Sequence, residues 1–337
     1  MKHAVFAGCL AVMMLLSLSL LLLRPVSPKE VSAPAAKPAV SRPVEVEKAE
    51  EEPLPTAYDE SRTITMTDGD SVQTLLLSDY LTGVVLAEMP ASFEMEALKA
   101  QAVAARTFCL RQEAAGKHAD ANVCGSGSCC QQYASLDSVR QKLGESYEIY
   151  LQKVRLAVAD TDGLVMRYNG ALIDAVYFSC SGGRTESAAA VWGGEVPYLQ
   201  PVNSPGEESS SRYADTVLVD AQQFRKKILE EAPSAHLDGS AAGWFGAVKR
   251  TDGGGVDSME IGGVALQGTK LRSMFSLRST NFTISITQQG IEFDTLGNGH
   301  RVGMSQYGAQ AMAEAGSDFQ EILTHYYSGI QIEKADS

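Results

Sequence analysis

The spacing of apolar residues changes three times along this chain. From Ala4 to Leu23 it is uncharged for twenty positions, long enough for a helix to cross a bilayer core of about 30 Å. From Val26 to about Glu60 large apolar residues nearly vanish. After Arg62 they return in short segments with strand or helix periodicity. The pattern predicts an apolar helix over 1–25, a segment without a core over 26–60, and a folded part over 61–337.

Within the folded part, Arg62 to Thr67 alternates like a strand and meets the turn Asp68-Gly69. Leu77 to Glu88 and Ser92 to Phe108 read as helices, separated by Met89-Pro90. Proline pushes the preceding residue out of the helical region, so the first of these helices stops beside Glu88. A polar loop runs from Gly116 to about Gln132, and a helix is expected over Ser138 to Val158. Leu164 to Phe178 reads as a hairpin turning at Asn169-Gly170. Asp220 is placed to cap a helix through Leu229, and Gly243 to Gly268 is glycine-rich strand and turn. Phe282 to Ile286 with Ile291 to Phe293 makes a second hairpin, before a helix ending near Ala315 and another from Asp318 to Ser328. Helices interleaved with hairpins, without a run of βαβ units, predict an α+β fold of mixed helices and antiparallel hairpins. The folded part is long enough for two lobes, and a two-lobed domain with a substrate groove is the expected arrangement.

Composition narrows the setting. Lys2 precedes the apolar run and no clean small-x-small cleavage site follows it, so a retained signal anchor is expected rather than a cleaved signal peptide. Phe6-Ala-Gly-Cys9 is not a lipoprotein box, because its apolar region lies after the cysteine. Seven of the twelve prolines fall between Pro25 and Pro55, among clustered glutamates, which is the composition of a tether. The folded part is then expected outside the cytoplasmic membrane, held by a single pass. A net charge of −13 argues against nucleic acid as a partner. The six cysteines are too unevenly spread for a disulfide framework.

Several residues could carry chemistry. Glu88, at a helix end among Val84, Val85, Leu86 and Met89, is placed for the partial desolvation that suits a carboxyl group to proton transfer near neutral pH. Lys99 and Arg106, seven apart, share a helix face that could look back at it or could be a solvated stripe. His118, Cys124, Cys129 and Cys130 are the one cluster with metal-ligand chemistry; zinc and a disulfide from Cys124 to one of the pair are competing readings. Gly297 to Ala309 places His300, Ser305, Gln306 and Tyr307 on a glycine-rich loop feeding a helix, suited to binding hydroxyl groups, although His300 could equally be structural. Ser181-Gly-Gly183 offers a similar wall. No Gly-x-Ser-x-Gly elbow occurs, and Gly263 to Lys270 has threonine and lysine in the wrong order for a phosphate loop.

Three segments together resemble a known family. They are Glu88 to Glu94 with Ala97 to Thr107, Ser181 to Glu186, and Gly299 to Ala309. In this order they are similar to the stage II sporulation protein D family, membrane-anchored lytic transglycosylases of spore-forming bacteria with relatives described as amidase enhancers. The resemblance spans roughly Ile64 to Ile332. It implies cleavage of the β-1,4 bond from N-acetylmuramic acid to N-acetylglucosamine in peptidoglycan, leaving a 1,6-anhydro sugar, with Glu88 as acid and base. It also implies a zinc held by His118, Cys124 and Cys130, with Cys129 as a possible substitute, shaping the cleft rather than activating water.

Lys99, Arg106, Gln131, Tyr133, Tyr177, Ser179 and Ser181 become expected cleft residues, beside His300, Ser305 and Gln306. The implied setting is engulfment during sporulation. The substrate would be glycan strands stripped of stem peptides, and the partners a sporulation amidase and a membrane protein of the same machinery. A non-catalytic glycan-binding amidase enhancer is the alternative.

Overall fold

A computed structural model describes residues 57–69 and 71–336. The expected anchor, 1–25, and the tether up to position 56 lie outside the described residues. Among the described residues no helix is long and apolar enough to cross a membrane. Order begins before position 61: Tyr58–Ser61 is a helical turn, and its Asp59 is buried.

The centre of the larger hydrophobic cluster is the helix Met95–Ala115. Its sequence is alanine-rich and nearly every residue from Ala97 to Leu110 is buried, so it lacks one apolar face and is covered all round. The helices Leu77–Glu88 and Tyr147–Asp160, the C-terminal helices Gln306–Glu314 and Phe319–Tyr326, and the strand Leu164–Tyr168 pack around it. Small side chains let these neighbours approach closely. The last strand, Gln331–Lys334, pairs antiparallel with Leu164–Tyr168, which ties the C-terminus into the same layer.

A second cluster lies between Val217 and Phe293. Two three-stranded antiparallel sheets, Phe245–Arg250 with Val256–Ile261 and Val264–Gln267, and Phe282–Ile286 with Ile291–Leu296 and Ala214–Val219, contribute to it. The helices Ala221–Glu231 and Gly268–Phe275 cover it. Phe224 is its hub, stacking on Trp244 and Phe275 at 6.1 and 5.1 Å. Asp220 caps its helix by accepting from the Gln222 and Gln223 amides, as its position before the apolar periodicity predicted.

Helices with antiparallel sheets give the expected α+β class. Two local expectations change. The helix over Ser138 to Val158 is broken into Leu136–Leu143 and Tyr147–Asp160, because Gly144 adopts φ 53° and starts a short 3-10 turn. The hairpin at Asn169-Gly170 forms with both residues at positive φ, as a two-residue turn demands. Its second arm is only Ala171–Leu172, however, and Tyr177–Phe178 leaves to pair in parallel with Met304–Ser305. That departure builds the wall of the site.

Candidate active site

Glu88 is the last residue of its helix, and Met89 is extended at φ −117°, ψ 143°. The chain turns away here, so the carboxylate projects from the helix end into a cavity of about 680 Å³. Glu88 is the sole acid among the cavity-lining residues. Its Oε1 accepts a 2.7 Å hydrogen bond from the Gln132 amide. Burial raises its pKa above the ordinary carboxyl value, and that amide with the nearby Gln306 and Tyr177 side chains pulls in the opposite direction without cancelling the rise.

Beneath Glu88 lies a chain of buried hydrogen bonds. Gln131 donates to the Tyr177 hydroxyl at 3.0 Å and accepts from Tyr80 at 3.1 Å. Tyr177 and Gln131 are thus brought to Glu88 as a support. Tyr133 stacks on Tyr80, ring centroids 5.9 Å apart, and closes on the helix at Gly83, where a Cβ would stand 2.3 Å from the tyrosine ring. It packs beside the cavity and does not line it.

The opposite wall joins the two other segments singled out in the sequence. Met304–Ser305 pairs with Tyr177–Phe178, and isolated bridges join Cys180 to Asn298 and Glu186 to Val302. Phe178, Ser179, Asn298, Gln306 and Tyr307 from these strands and loops face the cavity. Ser181 and Ser305 do not. Both are fully buried and donate to the buried carboxylate of Glu207, which also accepts from Ser204 and from the Ser181 and Gly182 amides.

Arg301 holds positive φ and a fully buried guanidinium, bonded to Glu186 and to the carbonyls of Ser181, Arg184 and Gly253. These groups lock the wall in place. His300 stands between Phe178 and Trp192, with its Nδ1 accepting from the Val302 amide. Burial and the nearby Arg272 draw its pKa down to about 4, so it is a neutral packing ring beside the cavity.

The two cations expected to face Glu88 are elsewhere. Arg106 is fully buried, holds Asp59 through Nε at 2.8 Å, and donates to the carbonyls of Leu164 and Val158. Lys99 pairs with Glu96 and Asp160 at 2.9 and 3.1 Å. The shared helix face was legible, but other segments cover this helix, so Arg106 serves the core and Lys99 sits in a partly exposed cluster of ion pairs. Lys142 and Arg212 line the cavity instead. Neither stood out in the sequence, because each reaches the site through an irregular neighbour: Lys142 just before the Gly144 break, Arg212 on a loop.

His118, Cys124, Cys129 and Cys130 gather their ligand atoms within 4.8 Å of one another and could hold a metal ion. His118 Nε2 is 3.2 Å from Cys130 Sγ and 3.9 Å from Cys129 Sγ. All the described cysteines are free, so the competing disulfide is not formed. Burial works to raise the pKa of Cys124, but bonds from the Ser126 amide and the neighbouring thiols, with the charge of Lys117, hold it below the usual thiol value. One imidazole and three converging thiols, one of them easily ionised, fit a thiolate-binding metal. Only Gln131 separates Cys130 from Gln132, whose amide holds Glu88.

The fold and site define a class: an α+β protein with one partly buried carboxylic acid in a cleft of mixed polar and apolar lining, and a cysteine-histidine cluster suited to a metal next to the loop that holds it. The family model described as Stage II sporulation protein matches residues 65–168. The chain is 38% identical over 312 residues to Stage II sporulation protein D of Bacillus subtilis (strain 168), covering 91% of this chain and 86% of that one. It is 37% identical over 274 residues to the protein of the same name from Bacillus amyloliquefaciens, covering 80% and 78%. It is 30% identical over 301 residues to the Amidase enhancer of Bacillus subtilis (strain 168), covering 74% of this chain and 39% of that protein. The chain belongs to the stage II sporulation protein D family.

Proposed function

We propose that this protein is a sporulation cell-wall enzyme, a lytic transglycosylase that cuts the bond from N-acetylmuramic acid to N-acetylglucosamine in glycan strands stripped of stem peptides. The observation that carries this reading is the solitary acid: among the described residues, Glu88 is the only carboxylate lining the cavity. Ordinary glycosidases need two carboxyl groups, one to protonate the leaving oxygen and one to attack or to activate water. A transglycosylase needs one, because the sugar supplies its own nucleophile.

Glu88, whose pKa burial raises, donates its proton to the glycosidic oxygen as the C1–O4 bond breaks. The resulting carboxylate takes the proton of the 6-hydroxyl as O6 bonds to C1, which closes the 1,6-anhydro ring and restores the acid. The Gln132 amide holds Oε1, which leaves the other oxygen for proton transfer. Tyr177 and Gln306 stand beside the carboxylate. Phe178, Ser179, Asn298 and Tyr307 supply the wall against which the sugar is oriented.

His118, Cys124 and Cys130, with Cys129 beside them, would hold zinc. The ion would cross-link the loop that carries the Gln132 amide and so hold Glu88 in position. In this reading residues 1–25 anchor the protein in the cell membrane, 26–60 tether it, and the catalytic domain works outside the cytoplasm during engulfment. Its partners would be a sporulation amidase that strips the strands and a membrane protein of the same machinery.

The test is mass spectrometry of stripped peptidoglycan digested by the purified protein. Anhydro-muramic products are expected, falling at least a thousandfold (roughly the two proton-transfer roles of one group) in Glu88→Ala. Reducing-end products would identify an ordinary muramidase instead. The likeness to an Amidase enhancer favours a second reading, a glycan-binding protein that stimulates an amidase without cutting. It requires that Glu88→Ala keep full amidase stimulation and that the pure parent protein cut nothing.

A further inference from the structure

The cavity that receives Glu88 carries charge opposite to that of the chain around it. The protein has 41 acidic and 28 basic side chains, yet the charged residues lining this cavity are Glu88, Lys142 and Arg212. Both cations are exposed, and among the described residues neither makes an ion pair, while their neighbours do. Arg140, two residues before Lys142, pairs with Glu148 and lies over the Tyr147 ring. Arg278 takes Asp215, three residues from Arg212. The buried Glu207 is saturated by hydroxyls and amides. Two unpaired cations lining an acid's cleft, on an otherwise acidic protein, are suited to an anionic group on the ligand.

We propose that Lys142 and Arg212 bind the lactyl carboxylate of muramic acid, the group exposed when a stem peptide is removed, and so make the cleft prefer stripped strands to peptide-bearing ones. The inference rests on the transglycosylase reading for its substrate class. Its chemistry is simple. On an intact strand the lactyl group is an uncharged amide. On a stripped strand it is a carboxylate close to the sugar ring, one per disaccharide. A cation at the cleft distinguishes the two without touching the bond that is cut. The selecting residues are therefore separate from the reacting one.

The experiment compares two glycan strands of equal length, one with free lactyl carboxylates and one with each capped as the neutral N-methylamide. Binding is measured with the Glu88→Gln protein, which leaves both strands whole, and cleavage with the parent. A preference of about tenfold or more for the carboxylate strand is expected in binding and in kcat/KM, shrinking as salt is raised. The ratio should fall toward one when Lys142→Gln and Arg212→Gln are combined. It should return in the charge-retaining pair Lys142→Arg with Arg212→Lys, which separates charge from folding.

Equal binding of the two strands by the Glu88→Gln protein, or a preference that survives the double glutamine variant, overturns the proposal. The two readings fail differently. Strands cut without a carboxylate preference would sink this inference and leave the transglycosylase standing. A carboxylate preference in binding with no cleavage by the parent would do the reverse.

Discussion

At Glu88, burial and hydrogen bonding oppose each other, and burial prevails. Its folded-state pKa is above the ordinary carboxyl value of 4.5, so the folded protein holds that proton to higher pH than the unfolded chain does. The associated stability is fully present below the unfolded pKa and is lost as pH rises through the folded one. Glu88→Gln cannot ionise and escapes that loss. Its melting temperature should match the parent's in acid, below that ordinary value, and exceed it by about 1–3 °C at about pH 8. A difference independent of pH would contradict the burial argument. Activity should fall on the alkaline side as the acid ionises.

Arg106 makes a contrasting case. Arg106→Met leaves Asp59 buried without its partner, a change that costs about 3–5 kcal/mol. Urea unfolding should show that loss, with turnover per folded molecule little changed. Loss of turnover at full stability would return Arg106 to the site.

Among the elements, the loop from His118 to Gln132 connects the cysteine cluster to the Glu88 carboxylate. Metal analysis of the purified parent is expected to find about one zinc per chain. Cys130→Ser should lose most of it, because its sulfur is the nearest to His118. Cys129→Ser should lose less, since its sulfur is farther away and exposed. Unchanged metal in both variants would remove the site. The helix Leu77–Glu88 shows the other means of positioning: a proline two residues past its end stops it where the acid must project. The Gly83 surface then admits Tyr133 against it.

For the molecule as a whole, two hydrophobic clusters share one chain, and the larger is completed by the C-terminal helices and last strand. Truncation at the C-terminus should therefore disrupt the same core that carries Glu88. The apolar run Ala4 to Leu23 leads to a separate expectation. The full chain should sediment with membranes and need detergent for release, whereas residues 57–337 alone should stay in solution. Release of the full chain by high salt would count against the anchor.

Some of this protein was legible from neighbouring residues alone. Helix and strand periodicity located most elements, Pro90 marked the end of the Glu88 helix, Asn169-Gly170 the tight turn, and Asp220 a helix cap. The histidine and cysteines, close together in sequence, were visible as one cluster. These features depend on local backbone preference, which is written residue by residue. The composition of the cleft depends on what packs against what. Periodicity could show that Lys99 and Arg106 share a face, but the covering of that face by other helices was decided by segments far away in the chain. Ser181 and Ser305 looked like cleft groups until Glu207 was seen to bind both from a loop between them. Lys142 and Arg212 line the same cavity from segments far apart in the chain. The sequence by itself put Glu88 at the end of its helix; the tertiary structure decided which residues surround it, because that is settled by long-range packing.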